Sequence, residues 1–79
     1  MFLAMDKIIL KVFKQRCWDV AKVWKNNKEI ATINRFYHID EKWIYIYDTV
    51  GGQGTGYHKG DLVNKIYIGD CEFEKIECA

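Results

Sequence analysis

Residues 43–60 read Trp43-Ile44-Tyr45-Ile46-Tyr47-Asp48-Thr49-Val50-Gly51-Gly52-Gln53-Gly54-Thr55-Gly56-Tyr57-His58-Lys59-Gly60, and this stretch decides the fold class. β-Branched and aromatic side chains lose χ1 freedom in a helix and pack well on a pleated surface, so positions 43–47 predict a strand. Its two faces are Trp43/Tyr45/Tyr47 and Ile44/Ile46, and both are apolar. Such a strand is either covered on both sides or shows an aromatic face to a ligand. It runs into a loop that holds five of the six glycines of the chain. A rigid strand feeding a glycine-rich connection is a common way to build a binding surface.

Upstream, Val20 to Ile33 places two β-branched runs on either side of Asn26-Asn27. Asn tolerates positive φ, which a tight hairpin turn requires, so this unit predicts a β-hairpin. The polar stretch His38 to Lys42 reads as a turn. Downstream, Lys65 to Ile68 reads as a short strand, Gly69-Asp70 as a turn and Cys71 to Ile76 as a returning strand. Residues 60–65 are expected to form a helical turn with Asp61 as its N-cap.

The N-terminal part carries two competing periods. Ile8, Leu10 and Val12 alternate along 7–14 as in a strand. Met5, Ile8, Ile9, Val12, Phe13, Cys17, Val20, Ala21 and Trp24 mark a helical stripe. The strand reading is preferred, because Ile, Val and aromatics dominate the stripe and the hairpin needs Val20 to Trp24. The sum is one mainly β domain over residues 1–79. The expected architecture is a five- or six-stranded curled antiparallel sheet or an SH3/OB-like barrel, since few helical segments remain to cover a flat sheet.

Composition sets the bounds. A chain of 79 residues with 49% hydrophobic residues and 15% aromatics is expected to fold as one small soluble domain, with a few large side chains supplying most of the core. There is no proline, so Gly, Asn and Asp must shape the turns. Cys17, Cys71 and Cys78 are odd in number and fit no Cys-x-x-Cys pair, which predicts a reducing, cytoplasmic setting over a disulfide scaffold. The opening residues show no basic leader, and no run approaches the roughly 20 apolar residues of a membrane span. Net charge is +1, yet it is divided. Residues 1–39 carry eight Lys/Arg against three acids, and residues 40–79 carry four Lys against eight acids. Either the halves neutralise each other across a sheet, or two charged faces exist.

The chemical motifs are negative. A Walker loop counted from Gly51 reaches Gly56 but places Tyr57 where Lys is required, and Gly52-x-Gly54-x-Gly56 has the wrong step for a dinucleotide fingerprint. Cys17, Cys71, Cys78, His38 and His58 have no close ligand spacing, so neither a metal nor another cofactor is expected. No spacing pairs a thiol with a histidine and an orienting acid, and no enzyme activity is expected.

Two binding functions remain. The first is a stand-alone protein-binding module that inhibits or regulates a larger protein, such as a nucleic-acid-processing enzyme, by covering its surface. Its expected contacts are Tyr45, Tyr47, Gln53, Thr55, Tyr57, His58 and Lys59. Glu72 and Glu74 form a second patch, because acids two residues apart on a strand stand about 6.5–7 Å apart and so imitate a row of phosphates. The alternative is a single-stranded nucleic-acid binder with Trp43, Tyr45 and Tyr47 as a stacking platform and Lys22, Lys25, Lys28 and Arg35 as phosphate contacts. The near-neutral charge weighs against it. The wealth of Ile, Lys, Asn and Tyr, read from A/T-rich codons, points to an A/T-rich bacterial or phage genome. Small stand-alone domains without proline or catalytic motifs are as a class typical of phage accessory proteins, and a protein of that class is expected. No membrane partner is expected, and a monomer or weak homodimer is.

Overall fold

The computed structural model describes residues 5–16, 18–34, 36–52 and 54–78. These residues form seven strands and no helix: β1 (Lys7–Lys14), β2 (Asp19–Lys25), β3 (Lys28–Asn34), β4 (Tyr37–Ile39), β5 (Trp43–Gly51), β6 (Tyr57–Tyr67) and β7 (Glu72–Cys78). They pair into a four-stranded sheet in the order β3-β2-β1-β7 and a three-stranded sheet in the order β4-β5-β6.

Alternation explains why two sheets form. In β1, Ile8, Leu10 and Val12 are fully buried and face one way. The register sets Leu10 opposite Val23, Val12 opposite Ala21 and Ala21 opposite Ile33, which extends this apolar face over three strands. Ile44 and Ile46 of β5 close it from the second sheet, and Ile68 completes one continuous core. Each Ile, Leu or Val side chain of this core contributes roughly 1.5–3 kcal/mol on burial. No polar or charged residue is buried among the described ones. The shortest dimension of the molecule, 18 Å, fits two stacked sheets about 10 Å apart.

The Asn26-Asn27 hairpin forms as expected, with φ of 50° and 68° at the two turn residues. Asn26 also ties the turn to β1, since its Oδ1 accepts the Lys7 N–H at 2.8 Å and its own N–H donates to the Lys7 carbonyl at 2.9 Å. Residues 7–14 are a strand and not part of a helix.

Several expectations need correction. The strands do not make one curled sheet or closed barrel of five or six strands; two open sheets share a core, because the apolar face of β1–β2–β3 is covered by Ile44 and Ile46 and needs no closure. Strand β4 lies partly inside the stretch that reads as a polar turn: His38 is exposed, but its neighbours Tyr37 and Ile39 pack against the core. Residues 60–65 are not a helical turn, and Asp61 caps nothing. They belong to β6, where pairing with β5 provides the backbone partners and register shifts between Ile46 and Thr49 absorb two extra residues. The sheet is not antiparallel throughout: β7 runs parallel to β1, with Ile8 opposite Phe73 and Ile9 opposite Glu74. The chain leaves the small sheet at Ile68, whose N–H donates to the Lys42 carbonyl, and enters the large one at Glu72, whose N–H donates to the Asp6 carbonyl.

Neutralisation between the two charged halves is sparse. Lys14 meets Asp19 at 3.1 Å and Glu77 at 3.8 Å, Lys22 meets Glu29 at 3.4 Å and Lys25 meets Asp6 at 3.8 Å. Of these pairs only Lys14–Glu77 joins the basic half to the acidic half, and all are solvent-exposed pairs of small energetic value. No helix of the described residues is long and apolar enough to cross a membrane.

Candidate functional site

The site grows from β5. Because Ile44 and Ile46 point into the core, Trp43, Tyr45 and Tyr47 point outward, away from the larger sheet. Cross-strand pairing brings Tyr67 opposite Trp43, Lys65 opposite Tyr45 and His38 opposite Tyr45 onto the same surface. Trp43, Tyr45 and Tyr47 are half-buried, while Tyr67 and His38 are exposed. Trp43 and Tyr67 meet edge-on with centroids 5.0 Å apart, and His38 stacks on Tyr45 at 5.8 Å. Lys65 Nζ stands 4.4 Å from the Trp43 ring and Lys59 Nζ 4.6 Å from that of Tyr47, both within cation–π range.

Asp40 fixes one end of this face. Its Oδ1 accepts the N–H groups of Lys42 at 2.8 Å and Trp43 at 2.7 Å, which closes the β4–β5 turn. Its Oδ2 accepts the Tyr45 hydroxyl at 2.8 Å. These donors favour the ionised form, so the Asp40 carboxyl titrates below its ordinary value, with the Lys42 N–H the largest cause. The same bond holds the Tyr45 proton and raises that phenol. Tyr45 therefore presents its ring in a fixed pose.

At the other end of β4 lies a cleft of about 430 Å3, lined by Phe36, Tyr37, His38, Tyr47 and Lys59. It sits where the β5–β6 register shifts, and such irregularities re-aim side chains next to functional sites. The shifts also leave Val63 without a partner across the ladder, and on this edge strand Leu62, opposite Tyr47, and Val63 are exposed by 46% and 61%.

The glycine connection is exposed, as the sequence predicts, but it is held by its own bonds. Gly52 N–H donates to the Gly56 carbonyl at 2.8 Å, and the Thr55 hydroxyl donates to the Gly52 carbonyl at the same distance. A His58 ring nitrogen lies 3.1 Å from the Thr55 carbonyl. Gly51, Gly52, Gly54 and Gly56 all have positive φ. The Tyr57 ring lies across Gly52, where a Cβ would come within 3.0 Å of it. Thr55, Tyr57 and His58 thus form an ordered tip on a hairpin arm. Residues 57–65 of β6 are exposed except for half-buried Gly60, so this arm leaves the sandwich.

The remaining expected residues scatter. Glu72 and Glu74 sit on the outward side of edge strand β7, but Ile76 and Cys78 take the next two positions on that side. Glu77 lies on the opposite side and meets Lys14. The acidic row therefore ends after two carboxylates. Lys22, Lys25 and Lys28 lie on the β2–β3 hairpin of the larger sheet, apart from the Trp43 platform, and the first two are in ion pairs. Gln53, Arg35 and Cys17 lie outside the described residues. Cys71 and Cys78 are half-buried free thiols. Among the described residues no group of three or more His, Cys, Asp and Glu is arranged to hold a metal ion.

Sequence reasoning missed Phe36, Leu62 and Val63. The pairing of Phe36 with the cleft has no local signal. Adjacent Leu62-Val63 breaks strict alternation, and that was the one available hint of an irregular strand. Comparison with protein-family models, with curated proteins and with solved structures gave no match.

Proposed function

We propose that this chain is a protein-binding module that docks on a larger protein through the outward face of β4–β5–β6 and regulates or inhibits it by covering its surface. The observation that carries the reading is the continuity of that face: Trp43 against Tyr67, Tyr45 against His38 and Tyr47 under Lys59 lead directly to the exposed Leu62 and Val63 at a free strand edge. Tyr and Trp are the residues that interface centres favour, and rings already fixed by neighbours lose little entropy on binding. The ordered tip at Thr55, Tyr57 and His58 extends the same surface. The contact is placed on the aromatic face and not on Glu72 and Glu74, because two carboxylates make too short a row to imitate a nucleic-acid strand.

The test is affinity capture of the partner from a bacterial lysate by the full chain, with mass-spectrometric identification. Val63→Glu and Tyr57→Ala should melt within a few degrees of wild type and lose the captured protein. Equal capture by both variants refutes the docking face.

A second reading, single-stranded nucleic-acid binding, draws support from Lys59 and Lys65 standing over the rings. Residues 36–67 carry three lysines against four acids, however, which opposes a continuous phosphate backbone. Tryptophan quenching by an oligonucleotide at low salt, lost as salt rises, would favour it over the protein reading.

A further inference from the structure

The cleft beside β4 has a chemistry that differs from the face around it. Its lining, Phe36, Tyr37, His38, Tyr47 and Lys59, contains an ammonium and an imidazole but no carboxylate. Lys59 is in no ion pair with a described residue; its charge rests on the Tyr47 ring. Lys75 of β7 brings a second ammonium to within 5.9 Å of the Tyr37 ring, and it too is in no ion pair with a described residue. On the larger sheet Lys14, Lys22 and Lys25 are matched with acids, whereas Lys59 and Lys75 stand against aromatic rings that line the cleft. The cleft is therefore a local positive, partly aromatic depression in a surface whose net charge is −1 over residues 36–67.

We infer that this cleft is the anchor point for an acidic segment of the partner protein, with a carboxylate seated on Lys59 and His38 and a neighbouring apolar side chain laid against Phe36 and Tyr47. The inference rests on the protein-binding reading and names the chemistry of that partner. A carboxylate gains a charge-assisted hydrogen bond from an ammonium that has no acid of its own. The aromatic wall removes apolar surface of the adjacent side chain from water, and the volume suits one side chain and its flanking backbone. A phosphate chain is the poorer match. The same three-stranded segment carries Asp40, Glu41, Asp48 and Asp61, which repel a continuous phosphate chain, while a peptide can place its carboxylate at the cleft alone.

The experiment is an NMR titration of the full chain with three probes: acetyl-Asp-Phe-Asp-amide, acetyl-Asn-Phe-Asn-amide and a short oligothymidylate. The acidic peptide should shift Phe36, His38, Tyr47 and Lys59 selectively. The amide peptide should bind at least about tenfold more weakly, and Lys59→Gln should lose the acidic peptide by a similar factor. Lys25→Gln, on the other sheet, should change nothing. Absence of shifts at millimolar acidic peptide, equal binding of the Asn peptide, or tighter binding of the oligothymidylate overturns the assignment. If Lys59→Gln captures the partner as well as wild type while Val63→Glu does not, the cleft assignment falls and the docking face stands.

Discussion

Replacing Gly51 and, separately, Gly54 by alanine separates two costs at the tip of the hairpin arm. Both glycines hold positive φ, +88° and +93°, which a Cβ resists by about 1–2 kcal/mol. At Gly54 that is the whole penalty, since nothing lies within 4 Å of the added atom. At Gly51 the Cβ would also collide with the Gly56 carbonyl oxygen, which accepts the Gly52 N–H at 2.8 Å. Clearing the collision sacrifices that bond, a further loss of about 0.5–1.5 kcal/mol. The arm stands away from the sandwich, so the strain opens the tip before it unfolds the core. Amide exchange at Gly52 and Thr55 is the matching assay. Gly54→Ala should reduce protection about 5–30-fold, and Gly51→Ala about 10–400-fold, each with little change in the global melting temperature. Equal losses in the two variants, or a larger loss at Gly54, would refute the proposed turn geometry.

Ile44→Ala should destabilise the whole domain by about 2–5 kcal/mol in urea unfolding, because Ile44 is the fully buried link between the sheets and a small domain cannot refill the void. Set against a total of roughly 4–12 kcal/mol for this length, that brings the variant near its limit. The Asp40 carboxyl should titrate below its ordinary 3.8 when followed by NMR. A depressed folded-state value means its stabilisation is fully present above the unfolded value and is lost as pH falls through the folded one. The stability gap between wild type and Asp40→Ala should therefore be constant near neutrality and close under acid; a gap that persists in strong acid would show that the charge is irrelevant to the turn.

Much of this architecture is legible in the amino-acid sequence. The Asn26-Asn27 turn, the alternation of Ile8, Leu10 and Val12, and the two apolar faces of Trp43 to Tyr47 are local signals, and each appears where the residues placed it. What escaped was non-local. The alternation in β1 says that one side is covered; it does not say that Ile44 and Ile46 cover it in a second layer, nor that β7 lies parallel beside it. Strand β4 escaped because three residues carry too little periodicity to stand out between polar neighbours. The irregularities in β6 hid its length, since Gly60-Asp61 resembles a turn and Leu62-Val63 breaks the expected alternation. The alternation of Trp43, Tyr45 and Tyr47 is local, but whether that face is core or surface depends on Ile44 and Ile46 meeting the other sheet, and the cleft is a meeting of β4, β5 and β6 that no contiguous motif records. Lys22, Lys25 and Lys28 were grouped with Trp43 by charge alone, and the layering separates them.

The pairing of β7 with β1 joins positions 65 residues apart, Lys7 and Glu72 among them. At ribosomal speeds of about 5–20 residues per second, β1 waits roughly 3–13 s for that neighbour during synthesis. In that interval its unmatched side is a template for any passing extended chain. Lys7, Lys11 and Lys14, interleaved with the aliphatics, place charges where they oppose edge-to-edge pairing of newborn copies. Charge-neutral replacements at these positions should therefore show up as insoluble product in the cell well before they register in the melting curve of the finished molecule.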